Sequence, residues 1–261
     1  MTSSPPPSME ALFLGTGSSV GVPMIGCRCA VCLSPDRRNH RTRSSLLVSA
    51  NGKNILVDTS PDLRLQSLRH GLDRVDAVVY THAHADHVLG LDELRTFNFI
   101  MEREIPIYAP SPVLDRIRSM FSYAFSDVNR EGVTRPDLVP HTLDGPMEIF
   151  GVPFRPFLVE HGPTRNTALR IGDLVYLTDC NAVLPEGKEV MKGSKVLIVG
   201  VVRYEPHLSH FGLDQAIAEI REVSPRMAYI THISHRMDHA TLEAELPSGI
   251  RPAYDGLRIL L

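Results

Sequence analysis

The chain has 261 residues, 43% hydrophobic and 22% charged, with a formal net charge of −3. This is ordinary globular composition, long enough for one large domain with a substantial core. The charge gives no global reason to expect a nucleic-acid or membrane partner, and no run approaches the ~20 apolar residues of a bilayer span.

In chain order, "MTSSPPPS" (1–8) lacks the basic and apolar regions of a signal peptide and reads as a flexible tail. Residues 9–261 are expected to form a single cytoplasmic domain. A strand is predicted at 11–15. Next comes "GCRCAVC" (26–32), which bunches Cys27, Cys29 and Cys32 as C-x-C-x-x-C. This is no disulfide framework; in a reducing cytosol the spacing favours a tetrahedral zinc site that needs one more ligand. Cys180 is available but adjoins Asp179, so His235 is the better fourth ligand. "RRNHRTRSS" (37–45) clusters Arg37, Arg38, Arg41 and Arg43, either as a solvated face or as forks for phosphate oxygens. Strands are predicted at 45–50 and 54–59, with Asn51-Gly52 supplying the positive-φ positions of a hairpin turn. A helix over 62–70 follows Pro61, and a strand at 77–81 leads into "THAHADH" (81–87).

A helix is predicted at 88–100, and the rest of 88–140 is longer than a minimal connection, which suggests a lid or a homodimer contact. Further strands are predicted at 152–160, 168–172, 174–179, 195–200 and 227–232. A helix at 213–223 carries Leu213, Ile217 and Ile220 on one face. Antiparallel hairpins in both halves, each followed by helices, suggest two packed sheets with helices outside, an α/β fold of four αββα layers.

Several predicted strands end in ionisable residues: Asp58, His82, Asp179 and His232. On a strand end His82 and His84 point to the same side, and Asp86 and His87 can join them from a helix entry. Two imidazoles then serve one ion, and a carboxylate with an imidazole serves a second. Such nitrogen and oxygen donors suit Zn, Mn or Fe. The remaining ligands are expected after other strands, at His161, Asp179 and His232, with an Asp able to bridge the ions. His70, His141 and His239 read as ordinary surface or core histidines.

Together "THAHADH", His161, "LTDC" around Asp179 and "THISH" around His232 resemble the metal signature of the metallo-β-lactamase fold over residues 9–261. The resemblance implies that His82, His84 and His161 hold one divalent ion (Zn or Mn), Asp86, His87 and His232 the other, with Asp179 bridging. The C-x-C-x-x-C cluster with "LGTGSSVGVPMIGCRCAVC" (14–32) and "THISHRMDHATLEAELPSGIRPAYDG" (231–256) resembles the phosphoribosyl cyclic phosphate phosphodiesterase branch. There Cys27, Cys29, Cys32 and His235 are implied to hold a structural zinc.

The implied activity is hydrolysis of a small cyclic phosphate such as 5-phosphoribosyl 1,2-cyclic phosphate. A hydroxide shared by the metal pair attacks, oriented by Asp86. His210 matches the position of the branch's proposed general acid; its neighbour His207 competes for that role. Where relatives carry Gly-Tyr, this chain has Thr167-Ala168-Leu169, implying a differently shaped pocket. The expected partner is a small phosphorylated substrate, with nucleic acid less favoured and no membrane. Alternatives are an RNA-processing nuclease of the same fold (tRNase Z-like or 2′,3′-cyclic phosphate type), a glyoxalase-like thiolesterase, and a non-hydrolytic metal-binding or cofactor-biosynthesis protein.

Overall fold

The computed structural model describes residues 9–126 and 134–261. The expected tail at 1–8 and residues 127–133 of the long central segment lie outside the described residues.

Two mixed sheets face each other. The first runs Arg258–Leu260, Glu10–Gly15, Ser45–Ala50, Lys53–Val57, Ala77–Val79, Ile105–Ala109 and Leu138–Thr142. The second runs Ala182–Val183, Val152–His161, Thr164–Ile171, Leu174–Leu177, Val196–Arg203, Met227–Thr231 and Ile250–Pro252. Each begins as an antiparallel meander and continues with parallel strands reached through helical crossovers. The turn at Asn51-Gly52 has φ of 53° and 68°, which matches the two left-handed positions of a tight hairpin.

Side-chain alternation makes both faces of each sheet apolar. Ala11 and Phe13 join Phe154, Leu169 and Tyr176 between the sheets, whereas Leu12 and Leu14 lie with Leu63, Leu94 and Phe97 under the first helical layer. Likewise Leu174 and Tyr176 face the first sheet, while Val175 and Leu177 pack on Leu213, Ala216 and Ile220 of the other helical layer. The result is the four-layer αββα sandwich expected from the sequence. Among the described residues no helix is long and apolar enough to cross a membrane.

Three expectations need correction. The described residues of segment 88–140 build part of the sandwich and form no separate lid. They include strands Ile105–Ala109 and Leu138–Thr142 and helix Ser111–Met120, whose Leu114 and Ile117 are buried. The strand predicted at 168–172 starts earlier, at Thr164, because Thr164–Ile171 pairs along the whole of Val152–His161. Strand 54–59 stops at Val57, where Asp58 turns into the left-handed region.

Candidate metal centre

The parallel strands of both sheets deliver their C-terminal ends to one crevice, the usual place for a site in an open α/β sheet. Three non-glycine residues at these ends have positive φ: Asp58 at 62°, Asp179 at 48° and His232 at 56°. Such backbone costs about 1–3 kcal/mol per residue and collects where side chains must be aimed. Gly200 keeps room between two of them, since a Cβ there would stand 3.3 Å from the Asp179 nitrogen and 3.4 Å from His232 Cβ.

The aimed side chains converge. Asp179 Oδ2 is 3.6 Å from His82 Nε2, while its Oδ1 is 3.4 Å from His87 Nε2 and 3.0 Å from His232 Nε2. Asp86 Oδ2 lies 3.4 Å from His87 Nε2 and 3.5 Å from His232 Nε2. The ligand atoms of Asp86, His87, Asp179 and His232 lie within 4.8 Å of one another, and so do those of His82, His84 and Asp179. Asp179 thus belongs to both groups. His161 stands slightly apart from the pair it was expected to join: its ring is 5.2 Å from that of His84 and 6.2 Å from that of His82. Its closer grouping is with Asp179 and His210.

Outer contacts fix the imidazoles. His87 Nδ1 donates to Asp58 Oδ2 at 2.7 Å, and His161 Nδ1 donates to the Ser209 carbonyl at 2.6 Å. Thr81 Oγ1 is 2.9 Å from His82 Nδ1 and itself donates to Asp58. Each ring therefore turns its Nε2 towards the crevice, the arrangement in which histidines serve as metal ligands. In the sequence Asp58 is marked only as a polar strand end, and nothing there signals the roles of Thr81 and Ser209.

The electrostatics fit a cation. Burial opposes ionisation of Asp86 and Asp179, but the surrounding His232 and His87 outweigh it and hold both carboxyls well below the ordinary range. Burial would lower the His87 pKa too, yet Asp179 and Asp58 raise it well above the usual value. Burial, aided by His87, pushes His82 well down. Meanwhile Asp86 Oδ2, His87 Nε2 and both ring nitrogens of His232 are buried without hydrogen-bond partners. Buried polar atoms left in this state call for a missing ligand, and two buried carboxylates call for positive charge. The donor set suits a pair of divalent ions.

His210 stacks on His232 at 5.2 Å between centroids and lies 4.8 Å from His161. Its Nδ1 is buried and unpartnered, and burial pushes its pKa down to about 3. His207 is more peripheral: its ring is 5.2 Å from that of His210, and its Nδ1 contacts Ser209.

The second constellation also assembles. Cys27 and Cys29 Sγ lie 3.3 and 3.5 Å from His235 Nδ1. The ligand atoms of Cys27, Cys29, Cys32 and His235 lie within 4.8 Å of one another, and all four cysteines are unbridged. The Cys32 backbone N–H and then His235 lower the Cys29 pKa to about 6, whereas burial raises Cys32 to about 11. Three thiols and an imidazole match the tetrahedral donors of a structural zinc. Cys180 is buried elsewhere, in the core of the second sheet.

Three of the four clustered arginines make contacts within the fold. Arg38 pairs with Asp36 and Glu243, and Arg43 with Asp62. Arg41 is 2% exposed and donates to Thr16 Oγ1 and the Ala253 carbonyl, with His239 Nδ1 3.0 Å away. His239 is accordingly a core residue, and His141 stacks on Tyr108.

Residues 53–233 match the β-lactamase superfamily domain. The octanoyltransferase of Porphyromonas gingivalis is 39% identical over 259 residues, covering 97% of this chain and 52% of that protein. The chain thus spans about half the length of that relative. A crystal structure of a new diphosphatase from the PhnP family superposes with a TM-score of 0.89 at 36% identity, over 96% of this chain and 97% of that one. Zn(2+)-bound PqqB from Methylobacterium extorquens shares the fold, with a TM-score of 0.75 and 22% identity over 97% of this chain and 100% of that one.

Proposed function

The chain belongs to the β-lactamase superfamily as a PhnP-like hydrolase, and from that premise we propose that it is a metal-dependent phosphodiesterase opening a small cyclic phosphate such as 5-phosphoribosyl 1,2-cyclic phosphate. The observation carrying this reading is Asp179, whose two oxygens face different groups of imidazoles inside one crevice. That is the donor arrangement for two ions sharing a carboxylate.

In this reading His82, His84 and His161 would hold one divalent ion and Asp86, His87 and His232 the other, with Asp179 available to both. When bound, such a pair acidifies water to near-neutral pKa and neutralises charge on phosphoryl oxygens. The chain supplies the rest. Asp58, Thr81 and the Ser209 carbonyl orient the imidazoles. Asp86 accepts a hydrogen bond from the attacking water and aims it at phosphorus. As the ester P–O bond breaks, the departing ring oxygen needs a proton, and His210 is the group placed to deliver it. Burial leaves His210 neutral at pH 7, so the proton it passes to the departing oxygen is one it first takes up from solvent or from the attacking water.

The test is turnover by the metal-loaded protein of 5-phosphoribosyl 1,2-cyclic phosphate, run beside a structured precursor tRNA. Release of a phosphomonoester from the first supports the reading. Cleavage of the tRNA alone overturns it in favour of a nuclease, and metal binding without either reaction overturns it in favour of a non-hydrolytic role.

A further inference from the structure

Strand Leu174–Leu177 leaves its ladder just before Asp179. Its pairing with Thr164–Ile171 runs from Leu174↔Ile171 to Tyr176↔Leu169, and the same register continued sets Asp179 opposite Asn166. At Asp179 the backbone has turned to a φ of 48°, so regular main-chain pairing stops there. The side chain of Asn166 takes its place. Asn166 Nδ2 donates to the Asp179 carbonyl at 2.9 Å, and both residues are buried. A buried carbonyl left without that donor costs more than the bond itself is worth. The bond is made in the left-handed conformation, and so offsets part of the strain at Asp179.

Packing alone gives no reason for an amide at this place. Asn166 stands opposite Val159 and two positions before Ala168, both in the apolar core of the second sheet, and asparagine is disfavoured in strands. A second contact acts on the carboxylate. The fully buried Thr178 donates its hydroxyl to Asp179 Oδ1 at 3.0 Å. Oδ1 is the oxygen that faces His87 and His232, so the hydroxyl fixes the rotation of the carboxylate and leaves Oδ2 towards His82. The stretch around Asn166 also reaches the other sheet. The Thr167 nitrogen donates to the carbonyl of Thr81, the residue before His82, at 3.3 Å. Asn166 and Thr167 together therefore brace the two strand ends that bring His82 and Asp179 into one crevice.

We propose that Asn166 and Thr178 are positioning residues for both catalytic ions, Asn166 setting the backbone of Asp179 and Thr178 the rotation of its carboxylate. Neither touches the reacting atoms. The inference rests on Asp179 as the carboxylate shared by two ions, and not on the choice of substrate. It also separates Asn166 from Asp58. The latter bonds directly to one imidazole, His87, whereas Asn166 acts through the one residue common to both groups of ligand atoms.

The test loads the full chain with cobalt(II) and strips it with chelators of graded affinity. Cobalt on the cysteine cluster reports through thiolate-to-metal charge transfer, and cobalt on the nitrogen and oxygen donors through ligand-field bands alone. Asn166→Leu keeps the volume and lacks the donor. It is expected to weaken the binding of both catalytic ions by about 10- to 100-fold, the weight of an outer partner, while the cysteine cluster holds its ion as in the parent. Thr178→Val, which exchanges the hydroxyl for a methyl group, is expected to weaken the same ions. Parent-like affinity in both variants overturns the inference, and so does an equal loss at the cysteine cluster, the mark of general loosening. If Asn166→Leu does not fold, Asn166→Asp decides. Its added negative charge by itself tightens cation binding, so a weakened pair supports the positioning role and an unchanged or tighter pair overturns it. A parent that shows the charge-transfer band alone has no catalytic pair; the two-ion reading then fails, and the positioning role with it.

Discussion

Asp58 Oδ2 and His87 Nδ1 are 2.7 Å apart, with both side chains fully buried. The contact decides which nitrogen of His87 faces the metal crevice. Asp58 also accepts from the Thr81 backbone nitrogen at 2.8 Å and from Thr81 Oγ1 at 2.7 Å. Every neighbour is thus a donor, so Asp58→Asn would bring an NH₂ group where only acceptors fit. Outer partners of this kind govern metal affinity by about 10- to 100-fold. Asp58→Asn is therefore expected to weaken binding of the second catalytic ion by that amount, read by metal titration of the folded protein. Unchanged affinity would show that His87 needs no such support.

Asp179 has no substitute within the crevice, because among the described residues no other carboxylate lies in both groups of ligand atoms. Asp179→Ala is expected to abolish hydrolysis and empty the catalytic pair while the zinc of the cysteine cluster stays. Metal analysis by mass spectrometry would then find about one ion per chain, the content of a single structural site. Retention of the full complement would exclude the bridging role.

The metal residues were legible because His82, His161, Asp179 and His232 follow or end strands at an abrupt change from apolar to ionisable side chains, as in "AVVYTH" and "AYITH", and His84, Asp86 and His87 come directly after one of them at the entry of helix Ala85–Val88. What joins Asp58 to His87 was not legible. It depends on the parallel pairing of Lys53–Val57 with Ala77–Val79, a register set by the assembled sheet and not by either segment. The early start of the Thr164 strand was hidden for a related reason: Thr164, Arg165, Asn166 and Thr167 look like loop, and their partner strand overrides that local preference. Arg41 misled in the opposite direction. Its burial depends on Thr16, His239 and Ala253, two of them some two hundred positions away, so a solvated charge run and a buried clamp look alike in the sequence.

The cysteine cluster ties a distant loop to the catalytic one. Between His232 and His235, the Ile233 nitrogen donates to the Thr16 carbonyl at 2.8 Å and Ser234 Oγ donates to the Val202 carbonyl at 2.5 Å. A zinc held by His235 and the three thiols would clamp residues 27–32 against the segment that aims His232. Structural zinc binding contributes folding free energy directly. Cys29→Ser is expected to release that zinc and lower Tm by at least about 5 °C, given about 2–4 °C per kcal/mol at this chain length. Equal zinc content and Tm in the variant would remove the structural assignment.

Asp76 offers a test of electrostatics away from either metal site. Its side chain is fully buried and meets Arg74 Nη2 at 2.7 Å, Lys53 Nζ at 3.4 Å and the Arg103 guanidinium, while the Asn54 nitrogen donates to Oδ2 at 2.9 Å. Burial alone would raise its carboxyl, but the hydrogen bonds from Arg74, Asn54 and Arg103 prevail and hold it below the ordinary aspartate value. A carboxyl depressed on folding stabilises the native state above its unfolded pKa of about 4, and that stabilisation fades as pH falls through the folded pKa. Asp76→Asn should therefore destabilise the protein at pH 7 by about 1–3 kcal/mol, nearer the lower end because Lys53, Arg74 and Arg103 are part-exposed and screened by solvent. Denaturant unfolding of parent and variant reads this directly. The gap between them is expected to narrow at pH 3, and protonation of the metal ligands, common to both proteins, cancels from the difference. A gap of the same size at both pH values would mean that Asp76 acts through packing and neutral hydrogen bonds, not through its charge.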